Sequence, residues 1–409
     1  MEAINTGDTA FILISSALVM FMTPGLALFY GGMVRSKNVL GTIMHSFFIL
    51  GLVTVTWVLW GYSTAFGPDL GGVIGSLNWF GLSGVGTAPF KDYAGTIPHL
   101  GFMVFQLMFA IITPALITGT FAERIKFSTF IVFTLLWCTL VYNPVAHWVW
   151  GVGGWLRNLG ALDFAGGTVV HINSGVAALA AALVIGKRKG YGHEPFHPHN
   201  LPMTITGAAI LWFGWFGFNA GSALGANALA ASAFVTTHIA AAAATFSWVF
   251  VEWMYRGKPT TLGAASGCVA GLVAITPAAG FVGPISALII GLAAGILCYF
   301  AIFLKHILGY DDALDVVGVH GVGGTFGALA TGLFASKAVN EAGNDGLFFG
   351  NPALLGTQAL AVAVTLVYSF LVTLLILKVL DWTMGLRVDH EEEVAGLDIS
   401  QHSEVGYNL

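Results

Sequence analysis

Two histidines stand in stretches that otherwise hold small and apolar residues: His171, in Gly-Gly-Thr-Val-Val-His-Ile-Asn, and His320, in Asp-Val-Val-Gly-Val-His-Gly. A neutral imidazole offers a donor on one ring nitrogen and an acceptor on the other, the combination a proton relay through a dry site needs. The competing reading makes both structural, each ring bonding a backbone carbonyl between packed helices. Upstream of each lies a carboxylate, Asp163 and Asp315, placed to cap the start of a helix and favour its positive end. Asp163 would in addition attract a cation. A third group consists of Phe105, Phe109, Trp150, Trp215, Phe218 and Ser222. Aromatic faces and a hydroxyl oxygen offset part of a cation's dehydration, with about 2 kcal/mol from a desolvated cation–π contact. The Born penalty of a buried ion is roughly tens of kcal/mol, so those contacts alone do not carry a charged ion through hydrocarbon. Giving up the proton, so that a neutral molecule crosses, removes most of that cost.

The elements that must position these residues are apolar helices. The 409-residue chain is 56% hydrophobic and 9% charged, against a soluble average of about 25% charged. Apolar runs long enough to cross a ~30 Å hydrocarbon core fall at 9–34, 42–66, 99–121, 127–150, 164–186, 201–221, 228–254, 262–280, 283–304, 314–335 and 354–380. The expected fold is an all-α polytopic membrane protein of eleven transmembrane helices, residues 1–380, with a tail over 381–409. If the spans alternate, Arg35, Lys37, Arg124, Lys126, Lys187, Arg188, Lys189, Arg256, Lys258, Lys305, Lys378 and Arg387 share one side, opposite Lys91, Arg157 and Lys337. Positive charge marks the cytoplasm, so the N-terminus is expected outside and the tail inside. The first span is read as a retained helix, because no small-residue cleavage motif precedes Thr23-Pro24.

An odd number of spans permits two inverted five-helix repeats plus a C-terminal helix. A trace of it is visible. The fifth span opens at Asp163 and runs through His171 to Gly175, and the tenth opens at Asp315 and runs through His320 to Gly324. At 1.5 Å per residue the two histidines would enter from opposite faces and straddle the midplane. Gly-x-x-x-Gly spacings such as Gly217/Gly221, Gly267/Gly271 and Gly291/Gly295 indicate close helix packing. No Gly-Lys-Ser/Thr phosphate loop, His-Glu-x-x-His or Ser/His/Asp constellation is present, so neither ATP-driven transport nor hydrolytic chemistry is suggested. Cys138, Cys268 and Cys298 read as apolar packing residues. His193, Glu194, His197 and His199 crowd one loop at metal-like spacings but lack cysteines and a scaffold. The tail's Asp389, Glu391, Glu392, Glu393, Asp398 and Glu404 read as a solvated face or a partner-docking segment.

Thr-Pro-Gly-Leu-Ala-Leu-Phe-Tyr-Gly-Gly (23–32), Ala-Glu-Arg-Ile-Lys-Phe-Ser (122–128), Asp-Phe-Ala-Gly-Gly-Thr-Val-Val-His-Ile-Asn (163–173), Pro-His-Asn-Leu-Pro (198–202), Gly-Trp-Phe-Gly-Phe-Asn-Ala-Gly-Ser (214–222) and Asp-Val-Val-Gly-Val-His-Gly (315–321) occur in that order. With these runs the chain resembles the ammonium transporter (Amt/Mep/Rh) family along nearly its whole length, and its microbial and plant branch in particular. The resemblance implies an inner-membrane homotrimer with one hydrophobic pore per subunit that carries ammonium or ammonia, with methylammonium as an analogue. It assigns ammonium recruitment to Phe105, Trp150 and Ser222, a gate to Phe109 and Phe218, and the pore's twin histidines to His171 and His320. Asp163, Trp215 and Thr276 match positions that shape the site, and Asp315 joins them from the repeat. A PII-type signalling protein is implied at the cytoplasmic face, with lipid around the chain. Enzymatic activity, a cofactor, a bound metal and a nucleic-acid partner are not expected. The alternative is an ammonium sensor that signals through its tail.

Overall fold

The computed structural model describes residues 4–407, and nearly all regular structure in it is helical. The long helices are α1 (Thr6–Met33), α2 (Ser36–Phe66), α3 (His99–Phe121), α4 (Phe127–Asn158), α5 (Gly167–Ile185), α6 (Leu201–Gly221), α7 (Ala228–Arg256), α9 (Pro284–Leu308), α10 (Val317–Phe334) and α11 (Pro352–Thr383). Between α7 and α9 lies the shorter α8 (Thr261–Ile275). Among the described residues, 10 helices are therefore long and apolar enough to cross a membrane.

The expected span at 262–280 is the one that differs. Its helix has 15 residues, about 22 Å at 1.5 Å per residue, and it stops just before Pro277, whose ring disfavours helix in the residue ahead and donates no N–H. Residues 276–282 continue as irregular, wholly buried backbone, which a membrane protein tolerates only where protein rather than lipid encloses it.

Helix starts follow local chemistry. Asn5, Asn200, Asn227 and Thr260 each accept a backbone N–H from the first turn of the helix they precede, and Pro284 and Pro352 open α9 and α11 where no N–H is needed. Glycines of α8 and α9 press on one helix: a Cβ at Gly267, Gly271, Gly291 or Gly295 would meet α7 between Ala240 and Trp248. Packing therefore accounts for those Gly-x-x-x-Gly spacings. α1 lies along α6, and the pairs α1 with α2, α1 with α3, α2 with α3 and α3 with α5 recur five helices later as α6 with α7, α6 with α8, α7 with α8 and α8 with α10.

At one end of the bundle, residues 67–98 form two small antiparallel hairpins, β1 (Asp69–Leu70) with β2 (Ile74–Gly75) and β3 (Pro89–Phe90) with β4 (Ala94–Pro98). At the other end the tail folds back as α12 (His390–Ala395) and α13 (Leu397–His402). Its acids are not all solvated. Glu393 is buried, accepting from Arg387 (2.7 Å) and from the backbone of Lys189 (2.8 Å). Asp398 is buried and accepts from Gly41 at the start of α2 (2.8 Å). His199 is spent on Val34 O (2.8 Å) and the Tyr407 hydroxyl (2.9 Å), so the histidine-rich loop also holds the tail.

Candidate functional site

Both histidines sit in π-helical turns, Gly167–Ile172 and Val317–Val322, at the starts of α5 and α10. In the first, the His171 N–H reaches back five residues to Gly166 O (3.0 Å). Such a turn inserts one residue into the helical repeat and re-aims the side chains on it.

A carboxylate fixes each turn. Asp163 accepts four backbone N–H groups, from Gly166 (2.8 Å) and Gly167 (2.6 Å) on one oxygen and from Thr168 (2.8 Å) and Val169 (3.1 Å) on the other. These are the donors that a helix start leaves without partners. At α10 the equivalent residue is Asp312, which accepts from Val317 N (2.7 Å) and from the Thr120 hydroxyl (2.5 Å). Asp315 caps nothing there. It holds a positive φ of 61° and pairs with Lys305 (2.5 Å) at the tail-side end. The capping expectation for Asp315 is corrected to Asp312, and the sequence carried the signal: Asp163 precedes His171 by the same interval as Asp312 precedes His320.

Glycine brings the two turns together. A Cβ at Gly175 would overlap the backbone of Gly321, and one at Gly324 would press on the His171 Cβ and the Ile172 nitrogen. Each histidine's fourth following residue thus abuts the residue after the other histidine. With no side chain at either crossing, the backbones close up until His171 Nδ1 and His320 Nδ1 stand 3.2 Å apart. Their rings are nearly parallel, at 26°. One Nδ1 must donate and the other accept, so the pair holds complementary tautomers, with Nε2–H at one end and a bare Nε2 at the other. His171 Nε2 is buried and has no protein partner.

Along α6, Trp215 stacks on His171 (centroids 5.5 Å, 22°), and its indole N–H donates to Thr276 Oγ1 (2.9 Å). That hydroxyl donates onward to Leu272 O (2.7 Å). Towards the hairpin end, the Phe109 and Phe218 rings lie against each other at 4.3 Å between centroids, tilted by 33°, one layer before the histidines. Between those phenylalanines and the histidines the free space shrinks to about 10 Å³, walled by apolar side chains such as Met22, Leu26, Ile112 and Leu116. A single water needs about that much.

Above the phenylalanines a vestibule of about 200 Å³ opens towards the hairpins. Trp150 and Ser222 line it, with Gln106, Tyr93, Phe164 and Arg157. Trp150 is held by its indole N–H on Asp163 O (2.8 Å), so one residue serves both the His171 turn and the vestibule wall. Ser222 donates to Phe218 O (2.9 Å), which leaves its oxygen lone pairs free. Phe105 is buried outside the vestibule wall, its ring edge-on to Phe109 at 5.0 Å. Gln106 went unnoticed in the sequence. Its amide oxygen is buried, unpartnered and within the vestibule lining, but a lone glutamine in an apolar span carries no pattern to mark it. On the far side of His320 a cavity of about 370 Å³, also lined by Glu252, Arg256 and Asp315, leads to the tail-side end.

Outside the spans, Arg35, Glu123, Arg188 and Asp311 form an ion cluster, with Arg35–Glu123 at 2.8 Å and Arg188–Asp311 at 2.9 Å. Burial pushes the Glu123 and Asp311 carboxyls up, but the neighbouring arginines outweigh it and hold both below the usual carboxylate value.

The sequence profile of the Ammonium Transporter Family matches residues 10–407. An ammonium transporter of Bacillus subtilis is 56% identical over 402 residues, covering 98% of each chain. Ammonium transporter Amt1 of Archaeoglobus fulgidus is 52% identical over 98% of this chain and 100% of its own. Among solved structures, Saccharomyces cerevisiae Mep2 superposes with a TM-score of 0.90 at 37% identity, covering 95% of this chain and 89% of that one. A sensor Amt protein superposes at 0.89 and 32% identity, covering 97% and 98%.

Proposed function

The chain belongs to the ammonium transporter family, and on that premise we propose that it moves ammonium across a membrane through a pore within each subunit. The observation that carries this is the alignment of vestibule, phenylalanine pair, 10 Å³ constriction, histidine pair and tail-side cavity along one path. In this reading Trp150 and Ser222 recruit the cation, with Phe105 supporting the wall from behind Phe109. Phe109 and Phe218 gate the path. A constriction of that size and polarity cannot hold a hydrated ion, and a bare ion there would cost roughly tens of kcal/mol. The ammonium ion therefore gives up its proton before the apolar stretch, ammonia passes along His171 and His320, and the proton follows by a separate relay in which the histidine pair is the proton-handling step. Trp215 and Thr276 fix the His171 ring from one side, and Asp163 fixes its turn from the other. Asp315, paired with Lys305, shapes the exit.

We further propose that α1–α5 and α6–α10 form inverted repeats around this path, a reading supported by helix contacts that recur five helices on. The buried irregular segment after α8 supports counting α8 as an eleventh membrane helix. The distribution of basic residues supports a hairpin face outside and a tail in the cytoplasm, and an inner-membrane location follows from the resemblance. A homotrimer and docking of a PII-type protein on the tail side follow from the resemblance.

The test is current on ammonium pulses, recorded on solid-supported membranes carrying reconstituted protein, for the parent and for single His171 and His320 variants. The parent should give a current with ammonium and a smaller one with methylammonium. An unchanged, fully selective current in the His171→Ala, His320→Ala double variant refutes the relay.

The likeness to a sensor Amt protein favours one second reading: occupancy of the vestibule alters the tail and a bound partner while little is transported. Absent methylammonium flux, in a reconstituted protein that still binds its partner, decides for sensing.

A further inference from the structure

The chain holds three glutamines, Gln106, Gln358 and Gln401. In two of them both ends of the amide are bonded. Gln358 donates to Leu162 O (2.8 Å) and Ala328 O (3.0 Å) and accepts from Leu162 N (2.8 Å). Gln401 donates to Glu392 Oε1 (2.9 Å) and accepts from Phe127 N (3.2 Å). Gln106 is only 9% exposed, yet its oxygen is buried without a partner and its NH₂ enters no hydrogen bond among the described residues. A buried amide with neither end tied is costly and uncommon. Gln106 precedes Phe109 by three residues on α3, so the two side chains share one helix face, and both line the vestibule.

The other neutral polar groups of the vestibule have spent their hydrogens. Tyr93 donates to Phe66 O (2.6 Å), the Trp150 indole to Asp163 O (2.8 Å) and the Ser222 hydroxyl to Phe218 O (2.9 Å). What they still offer is oxygen lone pairs or a π face, which suits ammonium, an ion with four N–H donors and no lone pair. Ammonia has a lone pair and needs a donor. Arg157 has N–H groups beyond the one on Trp150 O (2.7 Å), but its charge repels the ion. An amide serves both forms, since its oxygen accepts from ammonium and its NH₂ donates to ammonia. With no protein bond to break, either end of Gln106 can be turned to the substrate.

We propose that Gln106 is a substrate-binding residue of the vestibule that holds both members of the acid–base pair, ammonium through its amide oxygen and ammonia through its NH₂. The inference rests on the conduction reading. Gln106 adds an oxygen ligand to Trp150 and Ser222 where the ion gives up water. It also supplies a donor beside Phe109, where the neutral molecule leaves the vestibule. Exchanging the two ends takes only rotation of the amide about its last side-chain bond.

Gln106→Met keeps the length of the side chain and removes both functions. In ammonium-pulse currents its half-saturation concentration should rise about tenfold, the low end of what a hydrogen bond to a charged group is worth. An unchanged value overturns the proposal. Solid-state NMR of bilayer-reconstituted protein with labelled glutamine gives a readout independent of transport, because three side chains give three amide signals. Ammonium chloride at neutral pH should shift the Cδ signal of one glutamine, and ammonia at alkaline pH should shift the Nε2 signal of the same residue. Sodium chloride at either pH should shift neither, and the responding signals should be missing from Gln106→Met. Signals that stay in place, that move equally with sodium chloride, or that persist in Gln106→Met overturn the proposal. A response to ammonium without one to ammonia overturns the claim for both forms. A parent without any current refutes conduction instead and leaves the spectra to decide the binding.

Discussion

Replacing Asp163 by asparagine should destabilise the protein far more than the same replacement at Asp312, although both carboxylates cap the turn that carries a histidine. Asp163 accepts four backbone N–H groups, two on each oxygen. An asparagine keeps one acceptor oxygen and turns the other into an NH₂ that points at two N–H donors. Leaving two buried donors unpaired costs about 1–3 kcal/mol each, so roughly 2–6 kcal/mol for the site. The lost charge at a helix N-terminus adds about 0.3–1 kcal/mol. At Asp312 one oxygen takes Val317 N and the other takes the Thr120 hydroxyl. There the asparagine oxygen can keep Val317 N while its NH₂ donates to a rotated Thr120 hydroxyl, so the cost should stay under about 1 kcal/mol. The assay is reversible denaturation of each variant in detergent micelles. Equal losses, or a larger loss at Asp312, refute the argument that unpaired donors set the scale.

Gly175→Ala should force α5 and α10 apart, since its Cβ falls on the Gly321 backbone. A loss of about 1–3 kcal/mol in the same denaturation assay is the overpacking cost expected, and ammonium currents should fall with it. Phe218→Ala removes one side of the 4.3 Å phenylalanine pair and should raise methylammonium flux relative to ammonium by roughly tenfold, the discrimination one methylene commands. Radiotracer uptake in proteoliposomes measures it. Glu123 and Asp311 are held below the usual carboxylate value in the folded protein. The stability they contribute is therefore complete above the unfolded carboxylate value of about 4 and is lost as pH falls through their lowered folded values. Thermal melts across that window should show the loss, and Glu123→Gln should make it shallower.

The helices that carry the site were legible because lipid imposes a blunt rule: about 20 apolar residues with every backbone group bonded internally. His171 and His320 stood out because ionisable residues in such runs are costly. The same rule overran at 262–280. Hydropathy registers apolar backbone whether or not it is helical, and Pro277 ends α8 while its surroundings stay buried. Asp315 matches Asp163 as the residue that opens its span, whereas equal spacing to the histidine points to Asp312. The tail's acids find their partners, Gly41, Lys189 and Arg387, through tertiary folding. Periodicity holds nothing about contacts between positions so far apart in the chain. Phe105 sits behind the vestibule wall because the Gly221 position on α6 leaves room for its ring, a fit between two helices that neither sequence announces.

The 3.2 Å contact between the two Nδ1 atoms has one more consequence. A shared hydrogen bond gives the pair a direction: a donor faces one end of the path and a lone pair faces the other. A proton accepted at the bare Nε2 and released from the opposite ring moves the shared hydrogen across and reverses both tautomers. The pair then points the wrong way for a second transfer of the same sense. Under the proposed relay it would behave as a one-bit register, written by each proton that passes and reset before the next one can follow. Only ring rotation, or a proton returning, resets it. Gly175 and Gly324, by drawing the backbones together, hold the rings too close to turn freely. The packing that joins the two rings would therefore also limit how fast the proposed relay can repeat.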